Sequence, residues 1–323
     1  MGRPAHWAKK DRTRREDERR LQWVIDFLGP GCPVRSLSPD DVERYRQARM
    51  RGECASGRRV RPRAVAADLV ALSTMLNWGT RQRDRRGEPL LAFNPLRGVR
   101  LPVEKNPKRP VETYDRYLKL MEVADEVDPY LPLALTLAES TGRRIGAILK
   151  LRVEDLDLDR LPYGWLRFQA EHDKTGHEQW VPLTETARGV VLRHLQAAAS
   201  GEWLFGSRVK PSQPIDRRTL DHRLLEAYGR AGLGRLDGGL WHPWRRKWAT
   251  ERKGMPVKDV AAAGGWSDTA TLLRSYQQSD EATLTQVVLE APKLRANSAG
   301  GTEVTPILTP PDPEERLRGA GNG

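Results

Sequence analysis

Cysteine is scarce in this chain of 323 residues, and long apolar runs are absent. The two cysteines, Cys32 and Cys54, are too few for a disulfide framework, and their spacing matches no zinc-binding pattern. No apolar run approaches the roughly 18–20 residues that span a bilayer, and the basic N-terminus lacks the apolar stretch of a signal peptide. We therefore expect a protein of the reducing cytoplasm, without a structural metal and without a membrane partner.

Balance between acidic and basic residues is lacking as well, but only in the first third of the chain, where basic residues are in excess. Residues 1–110 contain 26 Lys and Arg against 13 Asp and Glu, whereas the remaining 213 residues contain 29 against 30. The formal net charge of +12 therefore arises in the N-terminal third. This asymmetry is typical of a polyanion-binding module joined to a nearly neutral one, and nucleic acid is the favoured polyanion. An Arg-rich protein from a GC-rich genome would have a similar composition, so charge alone leaves that alternative open.

The N-terminal third has the apolar spacing of a small helical domain. We expect helices over residues 11–28, from an N-cap at Ser38 through Arg49, and over residues 64–81. A domain over residues 11–103 follows from these helices. It lies after a flexible tail of residues 1–10 and before an exposed basic linker of residues 104–110.

The remainder of the chain predicts a second domain over residues 111–292, in which helices surround a small antiparallel sheet. The strands are expected at 153–158, 164–168 and 178–183. Helices are expected at 113–126, 143–151, 184–199, 217–231 and 281–290. Two more are expected, an apolar one that ends at Leu137 and one that begins near Pro243. Residues 293–323 are rich in Pro, Gly and Thr and predict a disordered tail. The fold class is therefore mainly α with one small sheet.

One stretch near the C-terminus combines chemically active side chains. His242 and Arg245 stand three residues apart, so a helix beginning near Pro243 would let both reach one point. Trp266 follows a Gly-Gly turn, and Tyr276 comes ten residues later. Cationic groups can neutralise the non-bridging oxygens of a phosphodiester while a phenol attacks phosphorus. The set therefore indicates a phosphodiester substrate.

With these residues and two further motifs, the chain resembles the tyrosine recombinase or phage integrase family of site-specific DNA recombinases, over roughly residues 11–292. The motifs occur in the family's order: Thr141-Gly-Arg-Arg144, Asp173-Lys-Thr-Gly176, His242-Pro-Trp-Arg245, Gly265-Trp266 and Tyr276. The stretch Asn94-Pro-Leu-Arg-Gly-Val-Arg-Leu-Pro102 also resembles the end of the family's core-binding domain, a helical domain of SAM-like fold. Each motif is weak when it is taken alone, but their joint order on suitable predicted elements is specific.

The resemblance implies a catalytic set and a mechanism. The set is Arg144, Lys174, His242, Arg245, Trp266 and the nucleophile Tyr276. Tyr276 would form a 3′-phosphotyrosyl link and release a 5′ hydroxyl, and no cofactor or metal would be needed. Metal binding by His172 and His177 is conceivable, but a solvated hairpin is favoured.

The expected partner is double-stranded DNA, bound by a homotetramer on two sites, with no small-molecule substrate. The candidate DNA-binding residues are Arg44, Arg63, Arg81, Lys105 and Lys108. Because the first helix begins near residue 11, we expect no additional N-terminal arm-binding domain. The resemblance is thus to a two-domain recombinase of a phage or another mobile element.

Two departures from the family pattern keep other functions open. Ala147 stands where the family often has a carboxylate, three residues after the first arginine. The spacing from Trp266 to Tyr276 is one residue longer than the common spacing. A catalytically weakened DNA-binding relative and a type IB topoisomerase-like enzyme are the alternatives.

Overall fold

The structure of the chain is a computed structural model that describes residues 11–54, 57–104, 109–172, 176, 178–197 and 201–290. It divides into two compact units, Met1–Pro107 and Lys108–Gly323. The predicted tails at 1–10 and 293–323 lie outside the described residues, as do linker residues 105–108. The flexible and disordered tails therefore remain predictions.

The first unit contains three helices: α1 (Asp11–Leu28), α2 (Pro39–Arg51) and α3 (Pro62–Gly79). The start of α2 is fixed by a capping box, in which Ser38 and Asp41 each accept a hydrogen bond from the other's backbone N–H. A proline at the first helical position strengthens this start. The three helices bury one core, which includes Val24, Tyr45, Val65, Leu69 and Leu76. The prediction of a helical N-terminal third is confirmed.

The second unit is helical around one small sheet. Its helices are α4 (Tyr114–Val127), α5 (Leu131–Thr141), α6 (Ile145–Ile148), α7 (Glu185–Ala197), α8 (Arg217–Arg230), α9 (His242–Glu251), α10 (Val257–Gly264), α11 (Thr269–Ser275) and α12 (Glu281–Leu289). Its strands are β1 (Leu156–Asp157), β2 (Trp165–Phe168) and β3 (Gln179–Pro182). The strands pair antiparallel in the order β1-β2-β3, and Leu166 lies opposite Val181. The predicted fold class, mainly α with a small antiparallel sheet, is confirmed.

Helix α5 is the centre of the second unit's core. Its side chains from Leu133 to Leu137 are almost completely buried, and they share one cluster with Leu166 of β2 and Trp244 of α9. A helix that is apolar on all faces is expected at the centre of a domain. The segment that follows α5 is therefore held against α9, which positions the candidate active site.

Three local features differ from the sequence-based expectation. Of the strand expected over 153–158, only Leu156–Asp157 (β1) forms, and Val153–Asp155 is instead a short 3-10 helix. The helix expected over 143–151 shrinks to α6, and Arg144 lies in an extended connection before it. The reason is Gly142, which ends α5 in the left-handed conformation with φ 61°. Helix α10 was not anticipated: the Gly264-Gly265 turn that ends it was recognised, but the helical spacing of Val257, Val260 and Ala261 was overlooked.

The left-handed turn at Gly142 supports a stability prediction. A Cβ at Gly142 would overlap the ring of Trp248, in addition to the strain of a positive φ. We expect Gly142→Ala to lower the free energy of unfolding by about 1–3 kcal/mol, measured by urea denaturation. Gly146→Ala is the matched control, because no atom lies within 4 Å of the point that a Cβ on this helical glycine would occupy, and the substitution should be neutral or stabilising. Equal effects of the two substitutions would contradict the requirement for glycine at position 142.

Two kinds of feature are missing from the part of the chain that the structure describes. No helix within it is both long enough and apolar enough to cross a membrane. No group of three or more His, Cys, Asp or Glu residues within it could hold a metal ion. His177, one of the two histidines considered above, lies outside the described residues.

Candidate active site

Helix α9 supplies the centre of the candidate site because its two tryptophans, four residues apart, anchor it in two different apolar clusters. Trp244 is fully buried in the main core, while Trp248 lies in a second apolar cluster with Trp266 and Leu272. Trp248 also donates its indole N–H to the carbonyl of Ser140, 2.8 Å away. These contacts fix the orientation of α9 against the end of α5, and hence the position of Arg245 between the two tryptophans.

Arg245 is only 2% exposed, and its guanidinium is held by backbone carbonyl groups. Its Nη1 donates to Gly142 O and Gly264 O, each at 2.5 Å, and its Nη2 lies 3.4 Å from Gly265 O. The guanidinium carbon lies 3.4 Å from the ring centroid of Trp266, which is a cation–π contact. Burial and, secondarily, the charge of Arg144 lower the pKa of Arg245 to about 9, so the side chain is still cationic at neutral pH.

Arg144 contacts the same backbone turn. Its Nη1 donates to Gly265 O at 3.0 Å, so one carbonyl lies within reach of both guanidinium groups. The turn requires its glycines: Gly265 has φ 72°, and a Cβ at Gly264 would overlap the ring of Trp266. The carbonyl dipoles of this turn offset the repulsion between two cations, and thereby hold the two arginines together.

Tyr276 follows α11 directly and lies beside Arg245. The centroid of its ring is 5.2 Å from the guanidinium carbon of Arg245 and 5.0 Å from the ring centroid of Trp266, which it meets edge to face. The ring of His242 is 6.2 Å away, centroid to centroid. The phenol is half-buried, so solvent or a ligand can reach it. The phenol and the two cations therefore occupy one small region.

Two buried N–H groups at this site have no hydrogen-bond partner among the described residues. They are Nε of Arg245 and Nε1 of Trp266. A buried donor without an acceptor is destabilising, typically by about 1–3 kcal/mol. Such groups are expected where a bound anion supplies the missing acceptor, because preorganised donors stabilise developing negative charge.

His242 begins α9 and is exposed at the surface, next to the Tyr276 ring. Desolvation of its ring, together with the positive charges of Arg246, Arg245, Arg217 and Arg144, lowers the pKa of His242 to about 4. A neutral imidazole can accept a proton, which is the role required of a base next to a phenol.

The lowered pKa of His242 is directly measurable. A histidine becomes protonated as the pH falls through its pKa, so His242 should stay neutral at pH 5.5, where an ordinary histidine with pKa 6.5 is mostly charged. We expect an NMR titration of the DNA-free protein to give an apparent pKa of about 4, and in any case below 5, for the His242 ring. The resonance is assigned by its loss in His242→Gln. A titration midpoint at 6.5 or higher would contradict a desolvated ring surrounded by arginines.

The structure brings together Arg144, His242, Arg245, Trp266 and Tyr276, whereas Lys174 lies outside the described residues. The predicted DNA-binding residues belong to the first unit or to the linker. Arg44 and Arg63 are exposed on α2 and α3, and Arg44 pairs with Asp41. Arg81 is exposed just beyond the end of α3, not within it. Lys105 and Lys108 lie outside the described residues.

Sequence reasoning missed the groups that hold the site together. The carbonyls of Gly142, Gly264 and Gly265 give no signal by residue type, although the Gly-Gly pair marks a tight turn. Thr250 and Gln278 were also missed. The hydroxyl of Thr250 donates to Tyr276 O and accepts from Gln278 N, both at 3.2 Å. No motif points to such backbone contacts.

Comparisons with known proteins identify the same family as the sequence motifs that form this site. The sequence pattern of the phage integrase family matches residues 112–283, which is just over half of the chain. The integrase of Escherichia phage HK022 is 24% identical over 215 residues, or 65% of this chain and 54% of the relative. The chain thus spans about half the length of this curated relative.

Solved structures share the fold of the chain. A lambda integrase dimer bound to a COC' core site matches with a TM-score of 0.65 and 18% identity, covering 86% of this chain and 94% of the other. The Tn1549 transposon integrase in complex with a circular intermediate DNA has a TM-score of 0.65 and 15% identity, covering 88% and 95%. A XerH site-specific recombinase bound to a palindromic difH substrate has a TM-score of 0.62 and 15% identity, covering 79% and 72%.

Proposed function

The chain belongs to the phage integrase family, and from this membership we propose that it is a site-specific DNA recombinase with Tyr276 as its nucleophile. The observation that carries the proposal is the position of that phenol. Its ring centroid lies 5.2 Å from the guanidinium carbon of Arg245, and its ring meets Trp266 edge to face. A phenol beside preorganised cations is suited to attack a phosphodiester, whose oxygens need those cations.

The proposed reaction exchanges one phosphodiester for another. The oxygen of Tyr276 bonds to phosphorus, and the bond from phosphorus to the 5′ oxygen breaks. The proton of the phenol passes to His242, and the 5′ oxygen takes up a proton from Lys174. A 3′-phosphotyrosyl link and a 5′ hydroxyl result. Attack by the 5′ hydroxyl of another strand reverses the step, and because the link conserves the bond energy, no nucleotide is consumed.

The cationic groups have distinct tasks in this scheme. Arg144 and Arg245 would bind the non-bridging oxygens, for which the planar, permanently charged guanidinium is suited. The unpartnered Nε of Arg245 and Nε1 of Trp266 are the donors with capacity for such an oxygen. Because carbonyls already hold both arginines, little reorganisation is required when the phosphate arrives.

The first unit is proposed to bind the duplex. The exposed side chains of Arg44, Arg63 and Arg81 are its candidates, with Lys105 and Lys108 of the linker. Contacts of this kind are mainly with phosphates, so the affinity should fall steeply as salt rises. Lambda integrase is bound to a core site as a dimer in one solved structure and to a Holliday junction as a tetramer in another. We propose the same class of assembly, a tetramer on two duplexes.

The test begins with the target site. Duplexes that bind the protein are selected from a random-sequence library, and each is then prepared with a nick near its centre so that the released 5′ fragment diffuses away. Wild-type protein should accumulate a covalent adduct on selected duplexes and leave scrambled duplexes intact. Relaxation of any supercoiled plasmid, without preference for the selected sequence, would instead assign a topoisomerase-like activity.

A second function, DNA binding without cleavage, is favoured by Ala147. This residue is buried in α6 against the main core, and its methyl group cannot accept a hydrogen bond from an arginine. A family member that lacks the carboxylate at this position has lost one means of orienting its cations. Sequence-selective binding with no adduct on any selected nicked duplex would establish this second function.

A further inference from the structure

The contacts of Gln278 lead to a role that the proposed function does not include. Gln278 lies two residues after Tyr276, in the short connection between α11 and α12. Its side-chain Nε2 donates to the carbonyl oxygen of Arg109 at 2.8 Å. Arg109 is the first described residue of the second unit, so this bond joins two segments that are 169 residues apart in sequence.

The segment that Gln278 contacts is itself firmly held. Arg246 donates through Nε to Pro110 O at 2.9 Å, and the N–H of Glu112 donates to Pro243 O at 3.3 Å. The Glu112 carboxylate is completely buried, and it accepts hydrogen bonds from Arg116 at 2.5 Å and from Tyr228 at 3.3 Å. Residues 109–112 are therefore fixed to α9, the helix that carries His242 and Arg245.

The nucleophile's own helix needs such an anchor. Helix α11 has seven residues, and Leu272 is its one buried side chain. A helix this short has little stability of its own and depends on tertiary contacts. Beyond it, Thr250 bridges Tyr276 O and Gln278 N through one hydroxyl, at 3.2 Å on each side. Thr250 and Gln278 thus hold the backbone on the C-terminal side of Tyr276 against α9 and residues 109–112.

We propose that Gln278 is a positioning residue, which fixes the segment of Tyr276 to residues 109–112 and thereby sets the distance from the phenol to the phosphorus. This inference rests on the proposed function, since it assigns a task within that reaction. Gln278 does not touch the reacting atoms. Its removal should therefore slow the covalent step while leaving the affinity for DNA unchanged.

The experiment measures single-turnover cleavage of a nicked, library-selected duplex. Gln278→Met keeps the length and volume of the side chain but removes the amide donor. We expect its cleavage rate to fall roughly 10-fold at unchanged DNA affinity, because small displacements of reacting groups cost up to about 10²-fold. Gln286→Met is the matched control, since Gln286 is exposed on α12, ten residues after Tyr276, and this variant should cleave at the wild-type rate.

A second substrate separates positioning from proton transfer. In a duplex with sulfur in place of the bridging 5′ oxygen, the leaving thiolate needs no proton. This substrate restores the cleavage rate of a variant that has lost a proton donor. It does not restore the rate of a variant whose nucleophile is misplaced. We expect the ratio of wild-type to Gln278→Met rates to be the same on both substrates. A ratio that returns to one on the sulfur substrate would overturn the positioning role.

A further variant guards against a folding defect. Thr250→Val keeps the shape of the side chain and removes the bridging hydroxyl, so it should show the same slow cleavage with unchanged affinity. Its effect should not add to that of Gln278→Met in the double variant, because both belong to one set of contacts. If the wild type cleaves and both variants match it, the positioning role is wrong while the recombinase proposal stands. If the wild type forms no adduct, both proposals fail.

Discussion

A Tyr276→Phe variant should form no covalent adduct with a nicked duplex that the wild type cleaves. The substitution removes one oxygen, and with it the hydrogen bond between Tyr276 and Arg245, but it keeps the edge-to-face contact of the ring with Trp266. The backbone bonds from Tyr276 N to Leu272 O and from Thr250 to Tyr276 O are also unaffected. Deleting a covalent nucleophile typically costs about four or more orders of magnitude in rate.

The controls for this variant separate chemistry from folding and binding. The affinity of Tyr276→Phe for the selected duplex, measured by titration at fixed salt, should equal that of the wild type. Ser275→Ala removes the neighbouring exposed hydroxyl at the end of α11 and should leave adduct formation unchanged. Adduct formation by Tyr276→Phe, or its loss in Ser275→Ala, would mean that the nucleophile has been misassigned.

Arg245→Lys should reduce the cleavage rate on the order of 10²–10³-fold, although the positive charge is kept. A lysine has a single nitrogen and cannot serve Gly142 O, Gly264 O and a phosphate oxygen in the way the planar guanidinium can. It also loses the cation–π contact of the guanidinium with Trp266, where the guanidinium carbon lies 3.4 Å from the ring centroid. The measurement is again single-turnover cleavage of the nicked duplex.

Arg252→Lys is the matched control for this substitution. Arg252 also lies over a tryptophan, 4.4 Å from the Trp248 ring, and it also donates to a backbone carbonyl, that of Trp248 at 3.1 Å. Arg252 takes no part in the proposed phosphate site, so the cleavage rate of Arg252→Lys should stay close to that of the wild type. Similar losses in the two variants would show that arginine–tryptophan packing, rather than phosphate binding, governs the rate.

The sequence predicted the helices of the first unit well because their signals are local. The cap at Ser38 and the apolar stripe of α3 are formed by neighbouring residues, so they can be recognised without knowledge of the fold. Strands β2 and β3 were recognised for the same reason, from their alternation and their turn, whereas the strand expected over 153–158 is reduced to β1.

The candidate site was only partly predictable. Residue types and motif order indicated Arg144, His242, Arg245, Trp266 and Tyr276. However, the extended backbone at Arg144 depends on Gly142 and on the tight packing of Trp248 above it, which is a tertiary contact. The carbonyl groups that hold Arg245 belong to two turns that are more than one hundred residues apart. Contacts between a side chain and a distant backbone atom leave no pattern in one sequence.

The central claim is that the oxygen of Tyr276 becomes bonded to DNA phosphorus. The most direct test is to trap the adduct on a nicked, library-selected duplex, digest it with nuclease and trypsin, and identify the modified peptide by tandem mass spectrometry. Trypsin cuts after Arg274 and Lys293, so the account predicts that the mass of a 3′-nucleotide is carried by the peptide of residues 275–293, with the modification at Tyr276. A nucleotide mass on any other residue, or on any other peptide, would contradict it.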